Sequence, residues 1–295
     1  MSERQPTIVI IGAGEMGAAV GARLKLFGAQ VRTSLAGRSA AGVARVQHAG
    51  LEVVDEDREL IRGADYVLSI VPPGVALEVA ENHREQLRAA SGTPIFADCN
   101  AISPATAMRI GSVLGDAECR YVDAGIIGGP PPADKTSSGP RFYASGEHAR
   151  EFARLCQFGL DIAVLDAPIG AASGLKLSYA GLTKGLTALG SALIAAATRD
   201  GLADALLTEL ARSQPQVLAR LERTIPGMFP KAYRWVAEME QIAEFLGGEE
   251  RGSLIYDGIA RLYQRIAAEV ERGADTPELN ALNQFVAAAK SARTR

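Results

Sequence analysis

The sequence predicts an α/β domain, a long connecting helix and a C-terminal domain made of helices only. Three observations predict this fold class. Short apolar runs alternate with helix-like segments through the first half of the chain. A glycine-bearing loop at Gly170 then leads into a long helical stretch, and the chain after Lys184 has helical patterns throughout. We therefore expect one domain over residues 1–168 and a second over residues 169–295.

Composition indicates an ordinary soluble globular protein. Of the 295 residues, 47% are hydrophobic and 22% are charged, and the net charge is −3. No basic run is present, so we expect no nucleic-acid partner. The most apolar helical stretch, Leu186–Ala197, is shorter than the roughly 20 residues of a membrane span, and a strand begins almost at the N-terminus, so we expect neither a membrane anchor nor a signal peptide. Cys99, Cys119 and Cys156 form neither a disulfide framework nor a metal motif, which favours a reducing cytoplasm and no bound metal.

A glycine-rich turn follows the first predicted strand. Thr7–Ile11 is β-branched and wholly apolar, as expected of a buried parallel strand, and the residues after Gly17 continue as a helix. Between them the chain reads G-x-G-x-x-G, which permits a tight turn, a close approach to a pyrophosphate and close packing of the helix on the strand. The alternative is a turn that only connects strand to helix. The motif predicts a dinucleotide-binding (Rossmann) domain that contacts its cofactor through Gly12, Gly14, Glu15, Met16 and Gly17.

The second predicted strand, Ala29–Thr33, favours NADP over NAD. An acidic residue that would bind the ribose 2′-hydroxyl of NAD is expected near its end, and none occurs between Gln30 and Val46. Arg38 and Ser39 lie in this segment instead, and a guanidinium beside a hydroxyl suits a 2′-phosphate. The alternative is that Arg38 is an exposed loop arginine.

Two further predicted strands end in residues that can meet a ligand. Ala64–Val71 stops at Pro72, and Pro94–Asp98 is followed by Asn100. Because ligands of parallel sheets bind at the carboxyl ends of strands, we expect Val71 and Pro72 beside the cofactor. Asn100 can donate and accept hydrogen bonds to the nicotinamide or the substrate.

The next predicted strand, Arg120–Ala124, opens into a loop that contains Gly128 and Gly129. The backbone N–H groups of such a loop can bind a carboxylate, and the alternative is a rigid loop without a ligand.

Upstream of this strand, Ser103 and Pro104 predict the start of a helix, with serine as the N-cap and proline at the first helical position.

Lys176 lies in the first turns of the long helical stretch that follows Gly170. The helical period places Tyr179, Ala180 and Thr183 on the same face as this lysine. A lysine where a nucleotide-binding half meets a helical half is a candidate proton carrier. The alternative is a solvated lysine on a helix surface.

Four stretches occur in an order that resembles the β-hydroxyacid dehydrogenase superfamily, which includes 3-hydroxyisobutyrate dehydrogenase, tartronate semialdehyde reductase and 6-phosphogluconate dehydrogenase. These stretches are Gly12–Gly17, Asp98–Pro104, Asp123–Gly129 and Gly170–Ala180. The segments Lys176–Gly185 and Ala232–Met239 look most like the branch with a DUF1932 C-terminal domain, and imine reductases share the architecture. The resemblance implies a Rossmann domain, a long helix and a helical domain, usually in a dimer with interlocked helices. It also gives Lys176 the position of the family's catalytic lysine.

The sequence departs from that family at three places. The family typically has Ser-Thr at Asn100-Ala101, Ser at Ile127 and an Asn pair at Tyr179-Ala180. The family's residues hold the carboxylate and hydroxyl of small polar acids. Because Ile127 and Ala180 cannot form those hydrogen bonds, we expect a less polar or larger substrate. Tyr179 could supply a hydroxyl donor in their place, or it could only pack.

Our first interpretation is an NADP-dependent oxidoreductase that passes hydride between the nicotinamide and a hydroxy acid or related alcohol. Lys176 would exchange a proton with the substrate oxygen, for which it must be partly neutral at about pH 7. Other substrate contacts would come from Asn100, the Gly128 and Gly129 backbone, Tyr179, Thr183 and Lys184. Lys184 could neutralise an acidic substrate or lie exposed.

Two alternatives remain. A C=N reductase would explain the loss of the residues that hold a carboxylate, although the presence of Lys176 counts against it. A non-catalytic module that senses NADP(H) is also compatible with the altered substrate motifs, and Lys176 counts against this too. The apolar character of the C-terminal helices favours a homodimer.

Overall fold

The computed structural model describes residues 5–55, 57–116, 118–247, 252–273 and 276–293. The chain divides into two compact units, Met1–Leu177 and Ser178–Arg295. The first is an α/β unit and the second is helical. The predicted fold class is therefore confirmed, while the predicted division after residue 168 lies before the division seen in the structure.

The first unit is built on an eight-stranded sheet with the order β3-β2-β1-β4-β5-β6-β7-β8. The strands are β1 (Thr7–Ile11), β2 (Gln30–Thr33), β3 (Glu52–Val53), β4 (Tyr66–Ser69), β5 (Ile95–Asp98), β6 (Arg120–Ile127), β7 (Arg141–Ser145) and β8 (Asp161–Val164). Neighbouring strands are parallel, except that β6 and β7 are antiparallel. The strand order reverses at β1, and such a reversal opens a crevice at the carboxyl ends of the strands, where dinucleotides bind.

Helices cover both faces of this sheet. They are α1 (Glu15–Leu26), α2 (Ala40–Ala49), α3 (Asp57–Leu60), α4 (Ala76–Ala89), α5 (Pro104–Gly115) and α6 (Ala149–Phe152). Ile8 and Ile10 belong to one apolar cluster and Val9, between them, belongs to another, so β1 is buried on both faces. Ser103 accepts a hydrogen bond from the backbone N–H of Thr106, which confirms the predicted helix start at α5.

Strand β6 is longer than the sequence predicted. The predicted strand ended at Ala124, whereas the observed strand continues to Ile127. Gly125, Ile126 and Ile127 pair with the antiparallel strand β7, and this pairing keeps the glycine extended. The extension matters because the helix Ala171–Arg199 packs on these residues.

The long helix α7 (Ala171–Arg199) begins in the first unit and continues into the second. The second unit adds α8 (Ala203–Ser213), α9 (Pro215–Met228), α10 (Ala232–Leu246), α11 (Ser253–Glu271) and α12 (Pro277–Arg293). Its apolar interior includes Met239 of α10 and both Tyr263 and Ile266 of α11. Helix α7 is the one helix in the described part of the chain that is long and apolar enough to cross a membrane, and it is longer than the stretch that the sequence singled out. Length and composition do not separate a spanning helix from a core helix, and Ala188 and Ile194 of α7 are buried within the protein.

Candidate active site

The turn after β1 has the shape that the glycine motif predicts. Gly12 has a φ of +91°, and a Cβ there would overlap the carbonyl oxygen of Ile70, so only glycine fits. A Cβ on Gly17 would overlap the carbonyl oxygen of Gly12. Gly14 is the N-cap of α1, and a Cβ on it would meet only the Gly12 oxygen, at 3.9 Å. The space beside Gly14 is thus open at the N-terminus of α1, a position that suits a pyrophosphate.

The other two residues predicted in this turn differ in exposure. Glu15 is the first residue of α1 and is exposed, whereas Met16 is half-buried and packs on the apolar cluster under the sheet. The Met16 side chain therefore supports the turn from inside. Contacts to a cofactor would come from the backbone of these two residues.

Asn100 joins the ends of two neighbouring strands. Its Nδ2 donates to Ser69 Oγ at 3.1 Å and to Asp98 Oδ2 at 2.9 Å, and its Oδ1 accepts from the backbone N–H of Val71 at 2.6 Å. The ends of β4 and β5 are therefore held together beside the glycine turn, because Val71 also lies against Gly12. Both amide hydrogens of Asn100 are engaged within the protein. A predicted contact to a ligand would use the second lone pair of Oδ1. Pro72, which follows Val71, is exposed.

Two buried carboxylates lie side by side in the sheet. Asp98 of β5 and Asp123 of β6 are register partners, and both are fully buried. Burial raises the pKa of Asp98 to about 7, with a smaller contribution in the same direction from Asp123, while hydrogen bonds from Asn100 act the other way.

Asp123 anchors the start of α7. Its Oδ2 accepts from the backbone N–H groups of Gly170 and Ser173, at 2.9 and 3.1 Å, and its Oδ1 accepts from Ser173 Oγ at 2.5 Å. Ser145 Oγ donates to Oδ2 of the same carboxylate at 2.9 Å and accepts from the N–H of Ala172. A buried carboxylate at a helix N-terminus satisfies the unpaired N–H groups and interacts favourably with the helix dipole. This arrangement fixes the first turn of α7.

Lys176 lies one turn further along α7 and contacts the same strand. Its Nζ donates to the carbonyl oxygen of Ile126, near the carboxyl end of β6, and its side chain is half-buried. A Cβ on Gly125 would lie 2.9 Å from Lys176 Cβ and 3.0 Å from the carbonyl oxygen of Ala172. The missing side chain at Gly125 therefore lets α7 pack directly on β6. Asp123, Gly125 and Ile126 together set the position of the Lys176 ammonium.

The residues that the sequence assigned to the 2′-phosphate lie at the start of α2. Arg38 and Ser39 are both exposed, and Ser39 Oγ accepts from the backbone N–H of Gly42 as the N-cap. Ser34 lies in the same loop, where its hydroxyl accepts from the N–H of Ala36 at 3.2 Å. The guanidinium, the hydroxyls and a helix N-terminus thus belong to one short segment, and these groups suit a phosphate.

The loop after β6 is held by a buried arginine of α1. Arg23 donates to the carbonyl oxygens of Asp134, Ser137 and Gly159, at 3.2, 3.0 and 2.5 Å. Gly128 has a φ of +134°, and a Cβ on it would meet Pro140 at 2.9 Å. Gly129 is exposed. Arg23 therefore holds the loop at Asp134 and Ser137, and Gly128 packs closely against Pro140, which suits a preformed ligand site.

Three predicted substrate residues lie in the second unit. Tyr179 is 51% exposed, and Thr183 donates to the carbonyl oxygen of Tyr179 in its own helix at 2.9 Å. Lys184 is neither exposed nor free of partners, because its Nζ forms an ion pair with Glu238 and lies 5.1 Å from the centroid of the Trp235 ring. The alternative of an exposed Lys184 is therefore wrong.

Sequence reasoning missed Asp123, Ser145, Ser173 and Glu238. Their partners are up to 54 residues away in the chain, so no local pattern reveals them. One signal was present: an aspartate inside an apolar strand must find hydrogen-bond donors when it is buried. Within the described residues no cluster of His, Cys, Asp and Glu could hold a metal ion.

Residues 7–156, about half of the chain, match the family model described as the NAD binding domain of 6-phosphogluconate dehydrogenase. The chain belongs to this family. Residues 197–266 match a second model, a domain of unknown function (DUF1932). The resemblance found in the sequence is thereby confirmed, and the turn, Asn100 and Asp123 described above all lie within the matched NAD-binding segment.

Similar proteins cover nearly the whole chain. An uncharacterized 28.5 kDa protein from the 7S RNA 5′ region of Methanothermus fervidus is 28% identical over 240 residues, which is 81% of this chain and 90% of that protein. A conserved protein of unknown function, described as structurally similar to 3-hydroxyacid dehydrogenases, is 29% identical with a TM-score of 0.65, covering 91% of this chain and 99% of that one. The 3-hydroxyisobutyrate dehydrogenase of Mycobacterium tuberculosis, solved with L-serine, is 18% identical with a TM-score of 0.70, covering 96% and 99%. Imine reductases are also structural neighbours, at 16 to 18% identity and TM-scores of 0.54 to 0.55.

The family and the site agree on the class of protein. The chain carries an NAD(P)-binding domain, and the turn after β1 fits the pyrophosphate of such a cofactor. The chain is a dehydrogenase or reductase of the hydroxyacid dehydrogenase type.

Proposed function

We propose that the chain is an NADP-dependent oxidoreductase in which Lys176 exchanges a proton with the substrate oxygen. Hydride would pass between the nicotinamide and a hydroxy acid or a related alcohol. The observation that carries this proposal is the fixed position of Lys176, whose ammonium is held at the carboxyl end of β6 by the Ile126 carbonyl. Ligands of such sheets bind at this edge.

Different residues of the first unit would hold the cofactor, position the strands and transfer the proton. Bound NADP supplies the chemistry of accepting or donating hydride. The Gly12–Gly17 turn would hold its pyrophosphate, and the Asn100 network would keep the neighbouring strand ends in place. Asp123 fixes the first turn of α7, so Lys176 meets the substrate without first having to be ordered. Lys176 then gives a proton to the developing alkoxide, or takes one in the other direction.

We assign the cofactor as NADP on the segment after β2. Arg38, Ser39 and the N-terminus of α2 offer a phosphate two kinds of donor and a favourable dipole, and the segment has no acidic residue. Arg38→Ala should weaken NADPH binding by about tenfold or more and leave NADH binding within about twofold, since each charge-assisted hydrogen bond contributes about 1.5–3 kcal/mol. Arg150→Ala, an exposed arginine paired with Asp166, is the matched control. Equal weakening of both cofactors by Arg38→Ala would refute the assignment.

The first-choice substrate is a hydroxy acid or related alcohol that is less polar than the small acids of the family. Ile127 at the end of β6 and Ala180 on α7 cannot donate hydrogen bonds to a carboxylate. The C=N reductase is the second candidate. It is favoured by the same two residues and by the imine reductases among the structural neighbours.

We also propose a homodimer formed through α7, in a reducing cytoplasm. The exposed apolar residues of this helix recur every three, four or seven positions, as in a helix–helix interface: Leu175, Tyr179, Leu182, Leu189 and Leu193. Leu182 and Leu193 are 75% and 66% exposed in the single chain, which favours a partner. Light scattering should give the mass of a dimer for the wild type and that of a monomer for Leu182→Glu combined with Leu193→Glu. We propose the cytoplasm because the three cysteines of the chain are few and widely spaced.

The experiment for the reaction itself measures nicotinamide absorbance over a panel. Hydroxy acids are offered with NADP⁺, and ketones and cyclic imines with NADPH, for wild type and Lys176→Met. Turnover of a hydroxy acid or ketone that falls by about 10²–10⁴-fold in the variant supports the proposal. Imine reduction that persists in the variant supports the second candidate. NADP(H) binding with no turnover of any substrate would favour the non-catalytic sensor.

A further inference from the structure

A charged and aromatic cluster lies in the helical unit, around Lys184. We call Lys184, Trp235, Glu238 and Tyr263 the Lys184 cluster. Lys184 Nζ pairs with Glu238 Oε2 and lies over the Trp235 ring. Tyr263 donates its hydroxyl to the carbonyl oxygen of Lys184 at 2.6 Å, and its ring meets Trp235 edge to face, with centroids 5.2 Å apart. The cluster thus joins helices α7, α10 and α11.

Only one of the two carboxylate oxygens of Glu238 has a partner in this cluster. Its side chain is 9% exposed, and its Oε2 is bound by Lys184. Its other carboxylate oxygen, Oε1, is buried and has no hydrogen-bond partner in the described part of the chain. A buried acceptor without a donor destabilises a protein, so a group that donates to Oε1 would be bound favourably. Lys184 and Trp235 are only half-buried, which leaves the cluster partly open to solvent.

The charges of the cluster decide which ligand can satisfy Oε1. Lys184 and Glu238 together carry no net charge. A carboxylate ligand could reach the ammonium only by displacing Glu238, which would leave that carboxylate buried and unpaired. An uncharged N–H or O–H donor could bind Oε1 and leave the ion pair intact. A cationic ligand would be repelled by the Lys184 ammonium.

We propose that the Lys184 cluster binds an uncharged hydrogen-bond donor of a small-molecule ligand, such as a carboxamide or hydroxyl, and discriminates against a carboxylate at this position. The proposal goes beyond the proposed function, because it concerns a ligand site within the second unit alone. It identifies Glu238 as the residue that sets this specificity.

The test uses the only tryptophan of the chain as its reporter. Because Trp235 belongs to the cluster, its fluorescence should respond to a ligand that binds there. Wild-type protein is titrated with lactamide and with lactate, which differ in a carboxamide and a carboxylate. Lactamide should give a saturable change with a dissociation constant at least about tenfold below that of lactate. Lactate binding equal to or tighter than lactamide binding, or no saturable response to either, would overturn the proposal.

Two variants make the test specific for charge. Glu238→Gln can still accept from Lys184 through its amide oxygen, but the cluster then carries a net positive charge and has an N–H donor of its own. This variant should bind lactate more tightly than lactamide. Lys184→Gln should keep the preference for lactamide. If Glu238→Gln does not fold, the wild type and Lys184→Gln decide the question. A Glu238→Gln protein that folds and still prefers lactamide to lactate would contradict the role of Glu238.

Hydride transfer is measured on the same preparations by nicotinamide absorbance. Turnover together with unselective binding would overturn this inference alone. Selective binding without any turnover would overturn the proposed function and leave the binding site intact.

Discussion

Gly125→Ala tests whether the packing of α7 on β6 sets the position of Lys176. The added Cβ would lie 2.9 Å from Lys176 Cβ and 3.0 Å from the Ala172 carbonyl oxygen, whereas ordinary contacts begin at 3.4 Å. The shortfalls are 0.5 and 0.4 Å (3.4 − 2.9 and 3.4 − 3.0). One of the two atoms is backbone, and Asp123 holds that turn of the helix, so rotation of a side chain cannot relieve the overlap. Gly125 does not have a positive φ, so the effect is steric.

Overpacking of this kind costs about 1–3 kcal/mol, and we expect the urea midpoint to fall accordingly. A misplacement of about 1 Å can cost about 10²-fold in rate, so a displacement of half that size should lower kcat by about tenfold. The dissociation constant of NADPH should stay within about twofold, because the glycine turn after β1 is untouched. Gly115→Ala is the control, since a Cβ at the end of α5 meets nothing within 4 Å. A Gly125→Ala protein with an unchanged midpoint and an unchanged kcat would show that this packing does not position Lys176.

Three further predictions concern buried charges. The pKa of Asp98 is about 7 in the folded protein and 3.8 in the unfolded chain. Between these pH values the folded protein holds a proton on Asp98 that the unfolded chain has lost. The free energy of unfolding should therefore fall by about 4 kcal/mol as pH rises from about 4 to 7. Asp98→Asn should flatten that part of the urea-midpoint profile, and a profile parallel to the wild type would contradict it. Lys184→Met should cost about 3–5 kcal/mol because it leaves Glu238 buried and unpaired, and Lys184→Met with Glu238→Leu should recover most of this loss, as a double-mutant cycle in urea would show. Arg23→Met releases three carbonyl groups, so trypsin should cleave after the exposed Lys135 several-fold faster; an unchanged cleavage rate would refute the anchoring of this loop.

The sequence predicted those parts of the molecule that depend on local pattern. The turn from Gly12 to Gly17 was predictable because sterics allow only glycine at its tightest positions. The start of α5 at Ser103 was predictable because a capping hydroxyl acts within three residues. The strand that ends at Ile127 was predicted too short because its last residues are held by pairing with β7, which no local pattern encodes.

The contacts around the candidate site were less accessible from sequence. Asn100 was identified, but its engagement with Ser69 and Val71 depends on the register of two strands. Asp123 is bonded to Ser173, 50 residues away, and Lys184 to Glu238, 54 residues away. Such pairs are set by tertiary packing, since a buried charge is stable only where the fold brings it a partner.

Chemical rescue tests whether Lys176 carries the proton. Lys176→Ala removes the ammonium and leaves room beside β6 for a small amine. Single-turnover hydride transfer from NADPH is followed with a ketone identified in the panel, with and without ethylamine. We expect the rate to fall by about 10²–10⁴-fold and ethylamine to restore it partly in a saturable way, while ethanol, an alcohol of similar size, does not. A rate that does not fall in Lys176→Ala would show that this lysine does not carry the proton.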